Sequence, residues 1–69
     1  RITFANANVA GVLGHVLSVL ADAKVNVIDM VNRSRGDLAY NILDVETHPS
    51  DEVVAAIQKV ENVIRVRVL

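Results

Sequence analysis

A chain of 69 residues makes one small domain, and with 52% hydrophobic but only 3% aromatic residues its core must come from Val, Ile, Leu and Ala. The formal net charge of −1 argues against nonspecific nucleic-acid binding, which needs clustered Lys and Arg. The absence of cysteine removes disulfides, CxxC redox chemistry and Cys-based zinc sites, and no apolar run is long enough for a transmembrane helix or shaped like a signal peptide.

Arg1 to Asn6 alternates, with Ile2 and Phe4 on one side, and reads as a short strand. Gly11 to Ala23 carries Val12, Leu13, Val16, Leu17, Val19 and Leu20 at spacings of three and four, which predicts an amphipathic helix with Asn8 as its N-cap or near-cap. Val25 to Arg33 is the second strand; strict alternation puts Val25, Val27 and Val31 on one face and Asn26, Ile28, Met30 and Asn32 on the other. Ser34 to Asp37 is a turn built on Gly36. Leu38 to Glu46 is the third strand, with Ala39, Asn41, Leu43 and Val45 inward and Tyr40, Ile42 and Asp44 outward. Pro49 breaks the chain, Ser50 caps a second helix, and Asp51 and Glu52 complement its dipole. Asn62 to Leu69 is the last strand, with Ile64, Val66 and Val68 inward and Arg65 and Arg67 outward.

This order predicts an α+β fold, the ferredoxin-like βαββαβ arrangement: a four-stranded antiparallel sheet with two helices on one face. The other face is left bare. Ile28, Met30, Tyr40 and Ile42 are expected on it, which is too apolar for an isolated surface and predicts that a partner, or another domain of the parent chain, covers part of it, with self-association at least to a dimer. The chain opens on a strand pattern at Arg1 without Met, so residues 1–69 are expected to be one domain of a longer protein.

Three asparagines, Asn6, Asn8 and Asn26, are expected where strand ends meet the first helix N-terminus. A strand-end loop feeding a helix offers free backbone N–H groups and a favourable dipole for a carboxylate. Side-chain amides supply both donors and acceptors. Together these suit a small zwitterion rather than a reaction. Other candidates are weaker. His15 and His48 lack partners at metal-ligand spacing, and Ser18 lacks a neighbouring base. Asp29, Asp44 and Glu46 read as solvated strand positions. Arg65 and Arg67 make a single basic stripe without stacking aromatics, so nucleic-acid binding is not expected. No catalytic residue and no metal site are assigned.

The sequence resembles the ACT domain family of regulatory amino-acid-binding modules. The resemblance rests on Asn8-Val9-Ala10-Gly11-Val12-Leu13, Ala21-Asp22-Ala23-Lys24-Val25-Asn26-Val27, Met30 to Gly36, Leu38 to Glu46 and Val63 to Leu69, in that order and spacing. Among ACT domains it is most similar to the C-terminal ones of D-3-phosphoglycerate dehydrogenases. That resemblance implies a side-by-side homodimer with an eight-stranded sheet and an amino acid, L-serine, at the interface. It implies a ligand site at Asn6, Asn8, Val9, Ala10, Gly11 and Val12, with Asn26 reaching in from the neighbouring subunit. It also implies a cytoplasmic, NAD-dependent parent enzyme under feedback inhibition, with no cofactor in this segment and neither nucleic acid nor membrane as partner. The chain departs from the family at Asn6, where His is frequent, and at Ala10, where Pro is frequent. These departures favour one alternative, a dimerisation module without ligand; a second alternative is an ACT sensor on another enzyme such as a serine dehydratase or an aromatic-pathway enzyme.

Overall fold

The computed structural model describes all 69 residues. Its elements are β1 (Ile2–Ala7), α1 (Val12–Asp22), β2 (Val27–Arg35), β3 (Leu38–Val45), α2 (Asp51–Gln58) and β4 (Val63–Val68). The four strands form one antiparallel sheet in the order β2-β3-β1-β4. This is the expected ferredoxin-like fold. No helix is long and apolar enough to cross a membrane.

One face of the sheet meets both helices. Ile2 and Phe4 from β1, Leu43 from β3, Val16 and Leu20 from α1 and Ile57 from α2 are all fully or almost fully buried together. Half-buried Val27, Val45, Val63 and Val66 extend this core to the outer strands. Truncating one of the six central side chains to Ala would cost about 2–5 kcal/mol, the usual range for buried aliphatics and Phe.

Two irregularities overturn the expected faces of the edge strands. Val27 pairs with Val45 but Asp29 pairs with Asp44, so Ile28 is an extra residue in β2. A bulge of one residue flips the alternation beyond it. Met30 therefore sits opposite Leu43 on the helix side, while Val31 sits opposite Ile42 on the open face. Met30 does not belong to the open face, and Val31 does. Ile28 is 64% exposed at the bulge. On β4, Ala5 pairs with Arg65 but Asn6 pairs with Val63. Ile64 is the extra residue there and is exposed, and Val63 takes the inward place expected for Ile64.

The helix ends have separate causes. Ser50 caps α2 as expected, its Oγ accepting from the Val53 N–H at 3.3 Å. Asn8 does not cap α1. The N-cap is Gly11, at φ 91°, and no side chain caps that end. At the other end the Lys24 N–H donates to the Ala21 carbonyl and the Val25 N–H to the Leu20 carbonyl, at 3.0 and 2.9 Å. That is a Schellman closure with Lys24, rather than glycine, in the left-handed position at φ 60°.

The two sheet edges differ. On β4, the Gln58 side chain of α2 donates to the Ile64 carbonyl at 3.2 Å and accepts from the Val66 N–H at 3.1 Å. A side chain thus occupies backbone groups that a foreign strand would need. On β2 the Met30 N–H is taken by the Asp29 carboxylate at 2.9 Å, and the strand is exposed along nearly its whole length.

Candidate functional site

The loop from Asn8 to Gly11 connects β1 to α1 and is pinned to the β2–β3 hairpin. The Asn8 N–H donates to the Asp37 carbonyl at 2.8 Å, and its Nδ2 donates to the Gly36 carbonyl at 3.0 Å. Gly36 lies in the turn at φ 62°, and Gly36-Asp37 is the two-residue hairpin connection. Asn8 is therefore a clamp between loop and hairpin. Its Oδ1 makes no hydrogen bond within the chain.

Val9, Ala10 and Gly11 are exposed, Val9 to 51%. Val12 buries its side chain, so only its backbone can serve a ligand. The first helical bond at this end runs from the His15 N–H to the Gly11 carbonyl at 3.0 Å, and the N–H groups of Val12, Leu13 and Gly14 have no partner. These donors, at the positive end of the helix dipole, can receive a carboxylate.

Asn6 sits below this loop on the helix side and is almost completely buried. Its Nδ2 donates to the Ala7 carbonyl at 2.8 Å, and its Oδ1 accepts from Asn41 Nδ2 at 2.8 Å. Asn41, fully buried, accepts in turn from Asn32 Nδ2. A one-directional row of amides therefore crosses β1, β3 and β2 and ends at Asn32 on the exposed edge strand. It satisfies Asn41, which faces inward on β3. The chain has no buried side-chain polar atom without a partner.

Asn26 is elsewhere. β2 runs parallel to β1, because both are antiparallel to β3. The start of β2 therefore lies at the end of the sheet away from the Asn8 loop. Nine strand residues separate the two ends by roughly 30 Å. Asn26 is exposed there, with its carbonyl accepting from the Glu46 N–H at 3.0 Å. The expected cluster of Asn6, Asn8 and Asn26 does not form within one chain: the first two come together and the third stands apart.

The largest surface depression, about 540 Å³, is also elsewhere, on the open sheet face beside Tyr40. The one ion pair joins Arg1 Nε to Asp44 Oδ1 at 2.8 Å. The hydrogen bond to Arg1 holds the Asp44 carboxyl below its ordinary value, and the Arg1 guanidinium is raised by the same bond. His15 and His48 are both exposed.

Comparison with known proteins adds three findings. The family model of the ACT domain matches residues 1–62. The ACT domain from the GTP pyrophosphokinase of Chlorobium tepidum has a similar structure, with a TM-score of 0.78 at 16% identity over 96% of this chain and 90% of that one. A protein described as GqqA, a novel type of quorum quenching acylase, has a TM-score of 0.66 at 23% identity over 94% of this chain, which spans only 27% of that protein. At such identities these two likenesses concern the fold alone. No curated protein matches the sequence.

Proposed function

The chain belongs to the ACT domain family, and on that premise we propose that residues 1–69 are a regulatory domain that binds L-serine and controls a D-3-phosphoglycerate dehydrogenase carried on the same longer chain. ACT domains bind amino acids and commonly pair as dimers. The choice of serine and of this parent rests on the segments from Asn8 to Leu13, Lys24 to Val27 and Leu38 to Glu46. The likeness to a GTP pyrophosphokinase domain, being one of fold, does not choose a parent.

One observation carries the proposal: Asn8 and Asn26 lie at opposite ends of an exposed edge strand that no other element covers, and its one occupied backbone donor, the Met30 N–H, is held only by the neighbouring Asp29 side chain. If two β2 strands meet antiparallel about a two-fold axis near Val31, Asn26 of one comes opposite Arg35 and Gly36 of the other, because the extra residue at Ile28 shortens its side by one step. Asn26 of the partner subunit then stands beside Gly36, whose carbonyl holds Asn8. The sheet becomes eight-stranded and the contact isologous. The β4 edge, occupied by Gln58, is unsuited to that role. The open loop then becomes one wall of a pocket whose other wall is the second copy.

The chemistry of such a pocket follows from its groups. The Val9 N–H is given to the Ala7 carbonyl at 2.8 Å, so the ligand carboxylate is received by the unpartnered N–H groups from Ala10 to Val12 at the N-terminus of α1. The Oδ1 of the partner's Asn26 accepts from the ammonium. The ligand ties two subunits together, so it favours whichever dimer geometry brings these walls to the right separation. It regulates only if that geometry differs between active and inactive parent, because equal affinity for both shifts nothing.

The dimerisation-only reading has one observation in its favour. Asn6, which replaces a frequent family His, has its carbonyl taken by Asn41 and an amide hydrogen taken by Ala7. Its part in binding is to support the loop rather than to present a free side chain. Calorimetry with L-serine, together with sedimentation at the same concentrations, separates the readings. A dimer that binds serine supports the sensor, and a dimer that binds none of the twenty amino acids supports the pairing module.

A further inference from the structure

The open face of the sheet carries two columns of arginine with an apolar strip between them. Arg33, Tyr40, Ala5 and Arg65 follow one another straight across β2, β3, β1 and β4. The next rung is Val31, Ile42, Thr3 and Arg67, and Arg35 lies opposite Leu38 on the other side. The sequence pattern shows only the Arg65 and Arg67 stripe; the bulge at Ile28 is what turns Arg33 and Arg35 onto the same face. All four arginines are exposed and none is in an ion pair. The acids on this face are Asp29 and Asp44, paired with each other across β2 and β3 at the far end, and Asp44 is engaged by Arg1. A chain of net charge −1 thus concentrates its arginines on one side.

The strip between the columns is apolar and uneven. Tyr40 is 47% exposed and Leu38 54%. Ala5 is small, so Tyr40 stands between two depressions: about 540 Å³ on the side of Arg33, Arg35 and Leu38, and about 190 Å³ on the side of Thr3, Arg65 and Arg67. Aromatic and arginine side chains around a desolvated centre are the residues that dominate protein interfaces.

We propose that this face docks an amphipathic α-helix of a partner protein, with an apolar stripe on the Leu38–Tyr40–Ile42 strip and Asp or Glu on both flanks against the arginine columns. The dimensions fit. Three strand spacings set the columns about 14 Å apart, and a helix with its side chains is about 10–12 Å across. The docked helix covers the bare side of the sheet and completes a three-layer arrangement. A second copy of this chain is disfavoured as occupant. Face to face, it would set arginine against arginine, and the apolar stripes of its own helices are already spent on the core. A single-stranded nucleic acid is disfavoured too, because the strip offers one aromatic ring among aliphatic side chains. Pairing through β2 about Val31 brings the partner subunit's Asp29 opposite Arg33 at the seam but leaves the apolar strip, Arg65 and Arg67 open, so the inference does not depend on the serine site.

The test uses the 69-residue chain and a labelled helical peptide of about five turns, with Leu at i, i+3, i+4 and i+7 repeats and Glu on both flanks. Fluorescence anisotropy should show saturable binding that weakens as salt rises, since the flanking charges are screened. Amide shifts should change on Tyr40, Ile42, Ala5 and Thr3 and not on the helices. The double variant Arg65→Glu with Arg67→Glu, both on β4 and away from the β2 edge, should weaken binding about ten-fold or more, the scale of interface hot spots. Its thermal melt should match that of the parent, since neither side chain has an intramolecular partner. No saturation into the millimolar range overturns the proposal. So does equal binding of a scrambled peptide of the same composition, shift changes on another surface, an unaffected double variant, or tighter binding of a uridine oligonucleotide to the same arginines.

Discussion

Asn41 donates its Nδ2 to the Oδ1 of Asn6 at 2.8 Å, joining the two central strands by a hydrogen bond closed off from solvent. The same Asn41 accepts from Asn32 on the edge strand. The polar row lies beneath the β1–α1 loop, and each member is satisfied by the next. It fixes one register among the three strands, because a slip of one residue would move an amide to the wrong face and leave its partners bare.

Replacing Asn41 by Ala therefore removes more than one bond. It opens a small cavity and leaves Asn6 Oδ1 without its donor. The expected loss is about 2–4 kcal/mol, from the cost of an unsatisfied buried group and of lost packing. Asn41→Asp should be worse at neutral pH, because a carboxylate would be buried beside Asn6 Oδ1. Urea unfolding measures both, and a change near zero in Asn41→Ala would mean that the row carries no stability.

The elements themselves are legible in the sequence. The alternation of Ile2 and Phe4, the helical spacing of Val12 to Leu20 and the Ser50 cap lead directly to the observed order. The edge strands mislead, because nothing local in Ile28-Asp29-Met30 or Val63-Ile64-Arg65 announces a bulge. Period-two alternation, applied without one, puts Met30 and Ile64 on the wrong side. The site is legible in part. The Asn8 loop stands out as a strand-to-helix turn, but α1 is opened by Gly11 because Asn8 is held by the Gly36-Asp37 hairpin, a contact 28 residues away in sequence. The distance of Asn26 follows from the direction of β2, which is a property of the whole sheet.

Two positions with left-handed backbone should respond oppositely to glycine and alanine. Lys24 is an L-residue at φ 60°, so Lys24→Gly should stabilise by up to about 1 kcal/mol through relief of that conformation. Gly11 is at φ 91°, with open space where a Cβ would go. Gly11→Ala should thus cost about 1 kcal/mol from backbone strain alone. Thermal melts of both variants check the signs, and a stabilised Gly11→Ala would contradict the geometry.

Acid should weaken the Arg1–Asp44 pair in one direction. The folded Asp44 carboxyl lies below its ordinary value, chiefly through the hydrogen bond from Arg1. Its contribution is present above the unfolded value, about 3.9 for Asp, and is lost as pH falls through the folded value. Both side chains are solvent-exposed, so the effect is small. Unfolding midpoints of the parent and Asp44→Asn should differ slightly at neutral pH and converge in acid. A gap that widens with acid would reverse the sign.

The central claim is that each binding site is shared, with Asn8 from one subunit and Asn26 from the other. Calorimetry of L-serine with Asn8→Ala, with Asn26→Ala and with their equimolar mixture tests it most directly. Each variant alone should bind about ten-fold more weakly or worse, the loss of a hydrogen bond to a charged ligand or of its support. In a mixed dimer one site combines the intact Asn8 of one subunit with the intact Asn26 of the other, and the second site carries both defects. The mixture should therefore recover parent-like affinity in one site per mixed dimer. A mixture that binds no better than its two components would contradict the shared site.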